Sequence, residues 1–245
     1  MTRKRSRGNS GRLIAAGTVC TFLLSGCSTA QFGAELSVRP KAHSLRKTEP
    51  VTLRLPQDEP FSIALESSRR DPGLDGEASA DARAKPSGQG EASATVSRSG
   101  TAEGLFRLGH AFANDTDRQM DLDLAVRYHC EYEAREEPDA RLPDATVGLR
   151  LYARDERGQI LRDFVLVEYA TDDGTARRQA DDSVSFTLTL GPGQSVDVFL
   201  AGRAMVNVPT ERTAAGLLKL NGLQFEVATR PAPPVRATSD EPQQK

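Results

Sequence analysis

The stretch Met120-Asp121-Leu122-Asp123-Leu124-Ala125-Val126-Arg127-Tyr128-His129-Cys130-Glu131-Tyr132 decides the fold. Every even position is apolar or a thiol, and five of the six odd positions between them are polar or charged. Successive side chains of a strand point to opposite faces, so this pattern predicts a strand with one buried and one wet face. Cys130 falls on the buried face, which predicts an inert thiol.

The same period continues on both sides. Val51-Leu53-Leu55 and Phe61-Ile63-Leu65 alternate with polar partners and predict two short strands joined across Pro56 to Pro60. Val147, Leu149, Leu151 and Ala153 repeat the pattern, and Asp155-Glu156-Arg157-Gly158 supplies a turn. Residues 160–169 carry apolar side chains on both faces, as a central strand does. Val184, Phe186, Leu188 and Leu190 lead into the turn Gly191-Pro192-Gly193-Gln194, and Val196, Val198 and Leu200 return. At Asn221-Gly222 the phase switches from even Leu218 and Leu220 to odd Leu223, Phe225 and Val227. A two-residue hairpin explains the switch, and so does a bulge within one strand. Many short strands and no amphipathic helix predict an all-β chain, an antiparallel β-sandwich of immunoglobulin-like or jelly-roll-like form.

That sandwich is expected over residues 105–228, with the strands of 51–66 joining it. Residues 67–104 are low in complexity, built of Ala, Ser, Gly, Asp and Arg, and read as a disordered linker or loop. Residues 229–245 carry Pro231, Pro233 and Pro234 and read as a disordered tail.

The N-terminus tells where the chain lives. Arg3, Lys4, Arg5, Arg7 and Arg12 precede a mostly apolar run, Leu13 to Leu24. Twelve helical residues span roughly 18 Å, too short for a hydrocarbon core of about 30 Å but right for a signal peptide. Leu24-Ser25-Gly26-Cys27 follows and resembles the lipobox of bacterial lipoproteins. The resemblance implies a signal peptide over 1–26 and lipidation of Cys27 as the mature N-terminus. Residues 27–50, poor in apolar side chains, then form a stalk. Ser28 and Thr29 stand where an Asp would imply inner-membrane retention in that family, which favours the outer membrane and a periplasm-facing domain.

Three segments resemble immunoglobulin-like envelope domains of the FxLYD kind: Asn114-Asp115-Thr116, Leu151-Tyr152 through Gly158, and Leu190-Gly191-Pro192-Gly193-Gln194 leading to Phe199. This implies a binding or scaffold role and transfers no site residue.

Composition narrows the function. Removing residues 1–26 takes five basic residues and no acids, leaving 27 basic against 34 acidic side chains, a formal charge of −7. An acidic chain is a poor partner for nucleic acid. With Cys20 in the leader and Cys27 lipidated, Cys130 has no partner for an internal disulfide. Trp is absent and aromatics are 5% of the chain, too few to predict a sugar-stacking platform. Asp115, Asp117, Asp121 and Asp123, Asp172 with Asp173, and Asp181 with Asp182 lack the spacing of a calcium loop and read as solvated faces and turns. Of the three histidines, His43 lies in the stalk, His129 on the wet face, and His110 beside Phe106, Leu108 and Phe112 as a hydrogen-bonded core residue. No catalytic nucleophile motif or phosphate loop is present. The sequence therefore predicts no catalytic residue, no metal and no cofactor. It points to a lipid-anchored envelope protein whose non-catalytic sandwich binds another envelope component. A carbohydrate-binding module is the alternative, and an envelope hydrolase the third reading.

Overall fold

A computed structural model describes residues 40–46, 51–136, 144–171 and 176–233. The expected signal peptide, Cys27 and residues 234–245 lie outside the described residues. Ten strands follow in order: β1 (His43–Ser44), β2 (Val51–Leu55), β3 (Ile63–Pro72), β4 (Glu77–Lys85), β5 (Gln89–Ala113), β6 (Met120–Glu136), β7 (Ala145–Asp155), β8 (Ile160–Ala170), β9 (Ala176–Leu190) and β10 (Ser195–Pro231).

β5 and β10 are far longer than ordinary strands, and they pair antiparallel along nearly all of β5. Their ribbon bends once. On β5 the bend falls at Arg98 and Gly100, both with positive φ, and on β10 the register slips between Val208 and Arg212, around Pro209. One arm, 100–113 with 195–208, is flanked by β3 and β7, with β8 outside β7. The other arm, 89–98 with 212–231, is flanked by β4, β2 and β6, with β9 outside β6. The bend lays one arm over the other and makes a β-sandwich with a single core.

Glycines make the fold-back possible. A side chain on Gly104 would come within 2.7 Å of the Ser93 carbonyl on the other half of the same strand. Phe106, fully buried, fills the space left by Gly90 and Gly202. At the corner, side chains on Gly73 or Gly76 would strike Ser99.

The alternation of β6 holds as expected: Met120, Leu122, Leu124, Val126, Tyr128 and Cys130 are buried, and Tyr132 is partly so. Burial pushes the Cys130 thiol up to about 11. The turns at Gly158 and Gly193 have the positive φ their glycines permit.

Several expectations are corrected. The 67–104 segment is no linker or loop; it forms the end of β3, all of β4 and much of β5. Its inward residues are Ala78, Ala80, Ala82, Ala84, Ala92, Ala94 and Val96, small because the opposing arm lies so close. A domain boundary at 105 would cut β5 in two. The stalk reading fails over 43–45, where β1 pairs parallel with β5 and Leu45 is buried. β8 is not central but an edge strand paired only with β7, leaving Ile160, Leu161 and Val165 exposed. The phase switch at Asn221-Gly222 is a bulge between Leu220 and Gly222 within β10, not a hairpin. The tail reading gives way at its start, since β10 runs on to Pro231 with Thr229 buried.

Asn114 locks one end of the sandwich. Its Nδ2 donates to the Arg118 and Leu190 carbonyls at 2.8 and 2.9 Å, and its Oδ1 accepts from the Thr116 N–H and hydroxyl. Its backbone pairs with Gly193 and Gln194. The Asn114 turn and the Gly191–Gln194 turn, far apart in sequence, therefore meet in space.

Gly202→Ala places a methyl 2.2 Å from the Phe106 ring, whereas Gly148→Ala meets nothing nearer than 3.6 Å. Urea melts should show a loss of about 1–3 kcal/mol for the first and a change within about 0.5 kcal/mol for the second. Equal effects would mean that the arms do not pack on Phe106 as described.

Candidate functional site

Two places gather chemically capable side chains. The first joins three elements at the start of the described chain. His43 comes from β1, Glu59 from the loop after β2, and His110 from β5. His43 Nδ1 lies 2.8 Å from Glu59 Oε1, and His110 Nε2 lies 2.9 Å from the same oxygen. His110 is 3% exposed, whereas His43 and Glu59 are about a third open to water. His110 lies in the core, as its alternation with Phe106, Leu108 and Phe112 predicts. The stalk reading of His43 does not bring it to His110, and nothing in the sequence around Glu59 marks that residue as their partner.

Two histidines and a glutamate make a familiar zinc-ligand set, and the three donor atoms lie within 4.8 Å of one another. The proton positions argue otherwise. The Ser62 N–H donates to His110 Nδ1 at 3.1 Å, so Nδ1 is an acceptor and the ring proton sits on Nε2, which lies 2.9 Å from Glu59 Oε1 without the alignment of a hydrogen bond. A metal at Nε2 needs the opposite tautomer, with Nδ1–H donating outward. The arrangement is a carboxylate shared by two imidazoles. Nor is it a nucleophile–base pair. Ser62 meets the ring through its backbone, and its hydroxyl oxygen accepts from the Ala111 N–H at 3.0 Å. Burial, more than any neighbour, holds the His110 pKa below its ordinary 6.5; Glu59 pulls it back up and His43 presses it further down.

The second place is the outer face of the arm formed by β2, β10, β6 and β9. Register sets its side chains in rows. Thr52, Ala228, Asp123 and Thr187 form one row, and Arg54, Glu226, Ala125 and Ser185 the next. Arg230, Asp121 and Thr189 continue on one side, and Gln224, Arg127 and Ser183 on the other. Strands about 4.8 Å apart and rows about 6.8 Å apart make a regular grid of donors and acceptors. Small side chains in its centre leave a shallow trough of about 430 Å³. Thr187 donates to Asp123 at 2.6 Å and Thr189 to Asp121 at 2.7 Å, while Arg230 lies 3.3 Å from Asp123.

The remaining acidic candidates scatter. Asp115 takes a bond from Ser44, Asp117 is exposed beside Arg118, and Asp181 faces His129 at 3.8 Å. Asp182 accepts from the Ser183 N–H. Asp172 and Asp173 lie outside the described residues. Glu136 and Asp144 are buried together, Glu136 accepting the Asp144 N–H and the Thr171 hydroxyl. Burial and then Glu136 raise the Asp144 carboxyl above its usual range. Among the described residues there is no clear catalytic constellation.

No family model and no curated protein matches this chain. Solved structures give faint likenesses. The family 11 carbohydrate-binding module from Clostridium thermocellum, in complex with a β-1,3-1,4-mixed-linked tetrasaccharide, aligns with 70% of this chain and 95% of its own, at 12% identity and TM-score 0.25. The CBM22-1 xylan-binding domain from Paenibacillus barcinonensis Xyn10C aligns over 68% and 94%, at 10% identity and TM-score 0.17. A structure of infectious bursal disease virus, Gt strain, aligns over 75% of this chain and 37% of its own, at 12% identity and TM-score 0.23. Scores this low carry no argument, and the saccharides belong to those proteins.

His110 makes stability pH-dependent in a defined sense. Its folded pKa lies below the unfolded value, so both states are neutral above about pH 6.5. As pH falls through that value the unfolded chain takes a proton that the folded chain resists, and stability is lost. The stability of the wild type relative to His110→Asn should therefore decline from about pH 7 to pH 5 in urea melts. A constant or rising difference would contradict the buried neutral ring.

Proposed function

We propose that this chain is a lipid-anchored cell-envelope protein whose sandwich is a non-catalytic binding module, with a saccharide as its ligand. The trough on the β2–β10–β6–β9 face carries this reading. Its rows present hydroxyls (Thr52, Thr187, Ser185), carboxylates (Asp123, Glu226) and a guanidinium (Arg54) around a floor of Ala125 and Ala228. A polyhydroxylated ligand needs alternating donors and acceptors over such a flat surface. Among the described residues no Tyr or Phe is classed as exposed, so recognition would rest on hydrogen bonds and not on stacking.

A protein partner is the second reading, favoured by the exposed Ile160, Leu161 and Val165 on the open edge of β8. The anchor rests on Leu24-Ser25-Gly26-Cys27, and Ser28 and Thr29 after it favour the outer membrane.

Two measurements test the proposal. Affinity electrophoresis through gels of cell-wall and capsular polysaccharides should retard the domain, and Asp123→Ala with Glu226→Ala should abolish the shift. Migration unaffected by every polysaccharide, or an unchanged shift in the double variant, would overturn the saccharide reading. Mass spectrometry of the mature N-terminus should find diacylglyceryl on Cys27, absent in Cys27→Ser; an unmodified residue 27 would overturn the anchor.

A further inference from the structure

We propose that His43, Glu59 and His110 form an acid-released clamp that holds residues 40–46 on the sandwich. β1 is poorly attached by backbone alone. It pairs with β5 at only His43↔Phe112 and Ser44↔Ala113, followed by one bond from the Leu45 N–H to the Ala113 carbonyl at 2.8 Å. The Glu59 carboxylate adds a hydrogen bond to His43 at 2.8 Å and an electrostatic contact with His110 Nε2 at 2.9 Å, which is not aligned as a hydrogen bond. Beneath the segment lies a cavity of about 280 Å³ whose apolar walls include Leu45, Val51, Leu53, Phe112 and Val227. Releasing the clamp would open this cavity.

The charged and titratable groups around the junction are few. The segment brings Lys41, His43 and Arg46, the last 3.9 Å from Asp115, which also accepts a bond from the Ser44 hydroxyl. The loop brings Glu59 and Asp58, the latter accepting the Arg54 N–H. β5 brings His110, while β2 and β10 present Val51, Leu53, Val227 and Thr229. Acid loosens the clamp through His110. A proton added to this ring must go to Nδ1, against the Ser62 N–H that already points there. The clamp needs no membrane. Its use does rest on the anchor proposed above, because the clamped segment lies between Cys27 and the sandwich in sequence.

Hydrogen exchange of the purified domain tests the clamp without reference to lipid or saccharide. After correction for intrinsic rates, protection at the Leu45 amide should fall by about tenfold from pH 7 to pH 5, while Leu220 in β10 stays protected. His110→Asn, which keeps an acceptor for Ser62, should lose this fall, whereas His43→Gln, which keeps a donor for Glu59, should retain it. His43→Leu should weaken Leu45 protection at both pH values. Level protection in the wild type, or an equal fall in His110→Asn, would overturn the proposal. So would one equivalent of zinc chloride that raises Leu45 protection and shifts both ring resonances, because that would make the cluster a metal site.

Discussion

The packing of one bent ribbon against itself is the constraint on which the rest depends. β5 and β10 could run on as a single flat pair, but the corner at Arg98–Gly100 and Val208–Arg212 turns both strands back over their own first halves. Two arms cannot approach this closely with ordinary side chains between them. Gly90, Gly104 and Gly202 remove the obstruction; Phe106 occupies the slot at Gly90 and Gly202, and the Asp81 and Ser93 backbone lies against Gly104. β1, β2, β3, β4, β6 and β7 then dock on one arm or the other, β8 and β9 extend β7 and β6, and the inner faces merge into one core.

The same closeness explains what was legible in the sequence. The thirteen residues from Met120 to Tyr132 show their faces because they bury large side chains where the arms stand apart. β4 and the first half of β5 have the same period, with Ala at 78, 80, 82, 84, 92 and 94, but alanine carries little hydropathy. A pattern sought in Leu, Val and Phe passes over it, so a strand pair reads as low-complexity chain. The bulge at Leu220–Gly222 was one of two explanations for the phase switch, and only pairing with β6 separates them. β8 misleads for another reason: its side chains on both faces are apolar, yet no strand covers its outer edge.

The sites were less legible than the fold. The His43–Glu59–His110 cluster depends on β1 lying parallel to β5, a pairing of two residues that no periodicity signals. The grid on the outer face has a simpler origin. The alternation of β6 turns its odd residues to water, but which residues share a row follows from register alone. The face and the clamp lie on the same scaffold and divide its chemistry. One is a broad polar surface suited to a ligand, and the other a small buried contact suited to holding chain.

Amide hydrogen exchange at Ala92, Ala94 and Val96 bears most directly on the bent ribbon. These amides lie in the stretch whose composition suggests disorder, and the ribbon makes them part of the core. They should exchange only through global unfolding, with the same free energy and denaturant dependence as Leu124 in β6 and Leu200 in β10. Exchange at the rate of a free chain, with Leu124 and Leu200 still protected, would show that 67–104 does not build the sandwich.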